Sequence, residues 1–255
     1  MYRLIDTHAH LEEITDLDQA IAAAKSAGVI AVIAVGSDYE SNRQVLYLGQ
    51  THPGFIYPAL GLHPWNLKSA ELDRNLEFIE NNITKAIGVG EIGLDYDKRV
   101  RAVADKDLQK RALSAVLRIA KQHGKPALIH SRYAWQDALD AVVAVQMEKV
   151  VFHWYTGTSS VLRGIIAQGY YISATPAVEY HEEHKRAIKE APLDRLLLET
   201  DSPVRYQRGT EFEFAARPAD VARSLKGAAK LKEMSETQVA EATTQNALMF
   251  FNLSV

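Results

Sequence analysis

No cysteine occurs in the 255 residues of the chain. Disulfides and thiolate metal sites are thereby excluded, so any metal ion must be held by histidine, aspartate and glutamate. Such donors suit zinc, manganese or magnesium better than soft metals. An excess of charge is also lacking: 29 basic and 32 acidic side chains leave a formal charge of −3. Proteins that coat nucleic acid irrespective of sequence are strongly basic, and this composition argues against that class. Nor is there a long apolar run. The longest, Val29 to Val35, falls far short of the roughly 20 residues that a membrane helix needs. The opening segment Met1–Glu13 has no basic region followed by an apolar stretch, so no signal peptide is expected and the cytoplasm is the expected location. No Ser/Gly-rich, Pro-rich or low-complexity tract divides the chain, which reads as one domain over residues 1–255. No heptad seam is evident, and no obligate protein partner or membrane association is expected.

What is present is an alternation. Short β-type runs fall at Arg3–Asp6, Val29–Val35, Ile56–Leu60, Ala86–Ile92, Ala127–His130, Val150–His153, Tyr170–Ala174 and Leu196–Glu199. Several are continuous Val/Ile/Leu runs, as parallel strands buried on both faces require. Amphipathic stretches lie between them: Asp18–Ala27, Arg43–Gln50, Asp73–Asn82, Lys106–His123, Ala134–Gln146, Ser160–Gln168 and His181–Glu190. Many are followed by Gly or Pro, the usual helix stops. Pro218–Lys232 and Glu236–Phe251 complete the chain. Eight strands alternating with helices predict an α/β protein of the (β/α)₈ TIM-barrel type. A doubly wound open sheet is the rival, and the positions of the polar residues decide between them.

Five of the nine histidines stand at or just past the end of a proposed strand. They are His8 and His10 after the first, His63 after the third, His130 after the fifth and His153 after the sixth. Glu91 is near the end of the fourth, and Asp201 is just beyond the eighth. In a barrel these ends meet at the face where active sites sit. Ionisable groups are unfavourable in apolar strands unless paired or metal-bound. Seven such intrusions at corresponding places therefore point to a site for two divalent metal ions. His8 and His10, at i and i+2 in extended chain, point the same way and can reach one cation. His130 and His153 can supply a second, and the two oxygens of Glu91 can bridge. Asp201 can ligate the first cation and accept a proton from water. Two such cations lower the pKa of water and clamp a displacement at phosphorus.

Other features are weaker. His52 and His123 fall at helix C-termini, where a cation suits the dipole. His181 and His184 are spaced i, i+3, whereas a metalloprotease zinc helix needs i, i+4; an exposed helix face is expected for them. The glycines of Gly88-Val89-Gly90-Glu91-Ile92-Gly93 match the dinucleotide-binding pattern, but no helix opens after them. Close packing around Glu91 explains them better. His63 can contact substrate or support a loop. Arg132 can hold a substrate anion. Lys98, Arg99 and Arg101 after the fourth strand, with Arg205 and Arg208 after the eighth, gather positive charge at the mouth and suit a phosphate-bearing substrate. Trp154 and Tyr155 are candidates for stacking on a base, although barrel packing accounts for at least one of them equally well.

With these residues in place the chain resembles the TatD family of metal-dependent DNases along nearly its whole length. Asp6-Thr7-His8-Ala9-His10-Leu11 is similar to the family's opening motif. Gly61-Leu62-His63-Pro64, Gly90-Glu91-Ile92-Gly93-Leu94-Asp95, His130-Ser131-Arg132 and Glu199-Thr200-Asp201-Ser202-Pro203 resemble its later motifs in order. The resemblance implies a TIM barrel, divalent metals and phosphodiester hydrolysis, often by exonuclease action on DNA. It also implies ligand roles for His8, His10, Glu91, His130, His153 and Asp201, with Glu91 where many related amidohydrolases bridge with a modified lysine. Two departures, Trp154-Tyr155 after the sixth strand and Ala215-Ala216-Arg217-Pro218 in place of an Arg-Asn-Glu-Pro-like segment, fall where the family forms its pocket rim. The expected activity is hydrolysis of a phosphodiester, with nucleic acid the expected substrate, by water activated at the metals, with Asp201 and Glu91 as catalytic residues and His63, Arg132, Tyr155 and Arg205 contacting substrate. The alternatives are hydrolysis of a small amide, ester or lactone on the same centre, and metal binding without turnover.

Overall fold

A computed structural model of the chain describes residues 2–254. The Val/Ile/Leu runs extend as strands at Leu4–Ala9 (β1), Val29–Val35 (β2), Ile56–Leu62 (β3), Gly88–Asp95 (β4), Ala127–Arg132 (β5), Val150–Phe152 (β6), Tyr171–Ala174 (β7) and Leu196–Leu198 (β8). They form one sheet in sequential order, each strand parallel to the next. Contacts at the upper rim join β8 to β1. Thr7 Oγ1 donates to the Leu198 carbonyl at 3.0 Å. The Asp201 amide donates to His8 O at 3.0 Å, and the His10 amide donates to Ser202 O at 2.7 Å. The ring is thus drawn together by the segments that carry candidate ligands. A doubly wound sheet, which reverses its strand order, is excluded.

The helices are Leu17–Ser26 (α1), Tyr39–Thr51 (α2), Leu72–Asn82 (α3), Lys98–Arg101 (α4), Lys106–Gln122 (α5), Trp135–Ala144 (α6), Ser159–Ala167 (α7), Glu182–Glu190 (α8), Val221–Lys232 (α9) and Glu236–Phe251 (α10). Local chemistry sets their starts. Asp38 accepts from the Ser41 amide, so α2 begins four residues before the apolar periodicity does. Asp105 caps α5 in the same way. α5 then buries Leu108, Ala112, Leu113, Val116, Leu117 and Ala120, a three-and-four spacing that turns one stripe to the barrel. A small antiparallel pair, Arg205–Tyr206 (β9) with Phe214–Ala215 (β10), stands in the loop after β8. The segment 98–101, expected as loop, makes one helical turn.

Two apolar layers result. Ile5, Ile33, Val35, Ala59, Leu128, Val151 and Leu197 form one cluster. Strands on opposite sides of the ring can share contacts only through its interior, so these residues fill the barrel. Ala247, Phe250 and Phe251 of α10 join that cluster and plug one end. Burial of each such ring contributes roughly 1.5–3 kcal/mol. The larger cluster lies between strands and helices. Among the described residues no helix is long and apolar enough to cross a membrane.

Candidate metal centre

The site is assembled around Glu91 of β4, which is 3% exposed. Its amide donates to Gly36 O at 2.8 Å, so the ends of β2, β3 and β4 pack almost without side chains between them. A Cβ on Gly61 would lie 2.3 Å from both Glu91 N and Gly36 O, and one on Gly93, at φ +155°, would lie 1.9 Å from His130 O. The glycines of this strand therefore serve close approach. β4 continues through them to Asp95, and no nucleotide-binding turn forms.

The two carboxylate oxygens of Glu91 face different imidazoles. Oε2 lies 3.3 Å from His8 Nε2 and 3.2 Å from His10 Nε2. Oε1 lies 2.8 Å from His130 Nδ1, 2.8 Å from His153 Nε2 and 3.2 Å from His63 Nε2. Asp201 closes the first group, its Oδ1 being 3.6 Å from both His8 Nε2 and His10 Nε2. The structure thus brings together all six expected ligands, and it adds His63 to the second group. His8 is within β1 rather than after it.

This donor set could hold metal ions. His8 is fully buried, and neither of its ring nitrogens has a hydrogen-bond partner among the described residues; Nδ1 of His10 and of His153 are in the same position. Burial pushes the imidazoles of His8 and His63 down to about 4, whereas His10, His130 and His153, although burial acts to lower them, are held above the ordinary imidazole value by the carboxylates beside them, Glu12, Asp95, Glu199 and Glu91. Burial acts to raise the Glu91 carboxyl, but the imidazoles packed around it overcome this and hold it well below the usual carboxylate range. Burial pushes Asp201 up to about 7, against the pull of His153 and His10. Four groups have their ligand atoms within 4.8 Å of one another: His8, His10 and Glu91; His8, His153 and Asp201; His63, Glu91 and His130; and His10, Glu12 and Glu13. Imidazoles converging on an ionised carboxylate are the donors that zinc, manganese or magnesium takes.

Further carboxylates stand behind the ligands. Glu199 is fully buried, with Oε2 3.8 Å from His8 Nδ1 and Oε1 3.6 Å from His153 Nδ1. The Trp154 amide and Ser173 Oγ donate to Glu199 Oε1 at 2.9 and 2.8 Å. Asp6 accepts from the Thr200 amide at 2.9 Å and from Thr200 Oγ1 at 2.6 Å, which fixes the backbone next to Asp201. Asp95 lies 3.2 Å from His130 Nε2 and accepts from Trp65 Nε1 at 2.6 Å and Arg132 Nε at 3.1 Å. Sequence reasoning assigned none of the three, although the rule that an ionisable group in an apolar strand requires a partner applies equally to Asp6. Backbone strain collects here too: Tyr133, Trp154 and Asp201, after β5, β6 and β8, have φ of 56°, 40° and 50°, a region that side chains other than glycine seldom adopt.

Two expectations are corrected. Tyr155 does not present its ring to a substrate. It is fully buried in the apolar core, and its hydroxyl donates to Thr158 O at 2.8 Å. His184 is not on an exposed helix face but fully buried, because α8 turns His184, Ala187 and Ile188 inward. In the segment before Pro218, Ala216 is buried against Tyr206 and Ala177, and Arg217 pairs with Asp16. Arg132 reaches the site through Asp95, whereas Arg205 lies in the exposed β9–β10 pair, its Nε donating to Glu213 at 2.7 Å.

A parallel eight-stranded barrel whose rim carries five histidines and Asp201 around Glu91 defines a (β/α)₈ protein with a side-chain cluster that could bind metal. A model of the family described as TatD related DNase matches residues 5–252, and the chain belongs to that family. It is 31% identical to a human protein named Deoxyribonuclease TATDN3, with 97% of this chain and 94% of that protein aligned. It is 32% identical to YabD of Bacillus subtilis, named an uncharacterized metal-dependent hydrolase, over 98% of this chain and all of that one. Among solved structures, the TatD homologue YJJV of Escherichia coli superposes with a TM-score of 0.87 at 26% identity, covering 99% of each chain.

Proposed function

We propose that the chain hydrolyses phosphodiester bonds of DNA, removing nucleotides from a strand end, with two divalent cations in the centre built around Glu91. The observation that carries this reading is the division of Glu91, one oxygen toward His8 and His10 and the other toward His63, His130 and His153. His8, His10 and Asp201 would hold one cation, His130 and His153 the other with His63 beside them, and Glu91 would touch both. Bound there, such a pair supplies Lewis acidity toward a phosphoryl oxygen and lowers the pKa of water. Asp201, with Oδ1 3.6 Å from both His8 Nε2 and His10 Nε2, accepts the proton of the attacking water. Asp95, 3.2 Å from His130 Nε2, holds that imidazole in orientation from behind, and the Glu199 carboxylate stands behind His8 and His153. Arg132, tied to Asp95 and one-third exposed, gives the mouth a fixed positive charge for the substrate anion. DNA is favoured over other phosphodiesters by the family and by relatives that are named deoxyribonucleases.

The test is to strip the protein of metal, reload it with Mg²⁺, Mn²⁺ or Zn²⁺, and assay single-stranded DNA, RNA, a chromogenic phosphodiester and a chromogenic ester. Metal-dependent release of mononucleotides from DNA is expected, and Asp201→Asn should lower kcat by about 10²–10⁴-fold. Ester cleavage with DNA left intact would refute the substrate assignment.

A further inference from the structure

The positive charge after β4 collects on one side of the metal centre. Lys98, Arg99 and Arg101 of α4 are all exposed and, with Tyr96, Asp97 and Tyr133, line an open cleft of about 490 Å³. One carboxylate faces them, Asp97, and it is already engaged by Arg99 at 3.2 Å and by Arg132 at 3.6 Å. Arg101 Nε donates to Tyr96 O at 3.0 Å, which holds its stem in the cleft. The cleft therefore keeps a surplus of positive charge on a protein whose net charge is negative.

An aromatic platform lies between this cleft and the metal centre. Trp65 is 56% exposed, yet its indole N–H is tied to Asp95 at 2.6 Å. Its ring stands edge-on to His63 and His130, with centroids 5.3 and 6.4 Å away, and the Arg132 guanidinium lies 5.4 Å from it. Tyr133, 63% exposed, follows directly after Arg132 with a left-handed backbone. Large rings left in water while their positions are fixed by a short hydrogen bond or a strained backbone are suited to stacking on a planar ligand.

We propose that Trp65, Tyr133 and the cations of α4 form a subsite for single-stranded nucleic acid. A base stacks on Trp65, and the phosphates of adjoining nucleotides run to Lys98, Arg99 and Arg101. The inference rests on the phosphodiester reading above and adds that the substrate is a polymer gripped beyond the bond that is cut. Single strands are specified because the faces of bases are hidden in a duplex and open in an unpaired strand.

The test uses the Mn²⁺-loaded protein and a fluorescein-labelled, phosphorothioate-linked oligothymidylate of about 12 nucleotides, within the range of single-strand site sizes. Binding is followed by anisotropy across a salt series. Neutralising the patch (K98Q/R99Q/R101Q) should reduce the slope of log K against log salt by about 2, because each phosphate contact on a single strand contributes about 0.7. Trp65→Ala should weaken binding about tenfold, with Trp65→Phe restoring most of it, as stacking on a ring requires. Wild-type affinity and slope in the triple variant would overturn the proposal, as would equal affinity for duplex and single strand. Turnover of a chromogenic phosphodiester separates the two readings. Chromogen cleavage without oligonucleotide binding overturns the subsite and keeps the chemistry. Binding with the expected slopes and no cleavage of either substrate overturns the chemistry and keeps the subsite.

Discussion

His184 offers a quantitative test of how the barrel rim is held. Its Nε2 accepts from the Thr175 amide at 3.1 Å, and its Nδ1 lies 2.9 Å from the Tyr155 carbonyl. One neutral tautomer, with the proton on Nδ1, satisfies both. The imidazole of α8 thereby ties the loop after β7 to the loop after β6, which carries His153. His184→Ala leaves a buried amide and a buried carbonyl without partners, at roughly 1–3 kcal/mol each. A loss of about 4 kcal/mol is expected, or about 10 °C in Tm for a domain of this size. Acid should act through the same residue. Burial pushes the imidazole down from the ordinary 6.5 to about 4. Between those values the unfolded chain takes up a proton that the folded chain refuses, so stability falls as pH drops through that window and is unaffected above it. The full difference, about 2.5 units at 1.36 kcal/mol each, is about 3 kcal/mol. His184→Gln keeps a donor and an acceptor but does not titrate. Urea unfolding of the metal-free proteins at pH 7 and pH 4 should show the wild type losing about 3 kcal/mol more than the Gln variant. Equal losses, or an Ala variant within about 1 kcal/mol of wild type, would refute the bridge.

Other outcomes follow from the same geometry. Glu199→Gln should weaken metal affinity about 10–100-fold by calorimetry while leaving the far-ultraviolet circular dichroism unchanged, and unaltered affinity would remove Glu199 from the support of His8 and His153. Gly61→Ala should abolish soluble protein or depress Tm by more than about 6 °C, since its Cβ would meet backbone atoms of Glu91 and Gly36 at 2.3–2.4 Å; a normal melt would contradict the close approach. Tyr155→Phe should lower stability by about 1 kcal/mol, the value of one hydrogen bond, with KM for DNA unchanged, whereas a raised KM would return Tyr155 to the substrate site. Adding Mn²⁺ at about 100 times its Kd should stabilise the fold by about 2.7 kcal/mol, and an unshifted melt would mean that the centre does not bind the ion.

Several features were legible along the chain because they are local or periodic. Continuous Val/Ile/Leu runs marked the strands, and the polar residues breaking them at their ends marked the candidate ligands, since an apolar strand does not tolerate an unpartnered ionisable group. The barrel order and the set His8, His10, Glu91, His130, His153 and Asp201 needed little more than this regularity and the motifs that carried the family resemblance. Contacts between distant segments were not legible. Tyr155, two residues after His153, could face the cavity or the core, and only packing turned it inward. His184 carried no signal of burial because its two partners belong to loops 9 and 29 residues away. The same holds for His63, whose Nε2 comes within 3.2 Å of Glu91 only because Gly61 lets β3 close on β4, and for Glu199, which serves His8 and His153 across the rim. The sequence by itself determined which residues could ligate metal and that they would share one face, because strand periodicity and donor chemistry are properties of short segments. Tertiary structure alone decided which oxygen of Glu91 meets which imidazole, and which buried groups stand behind them, because those relations depend on the closure of the barrel.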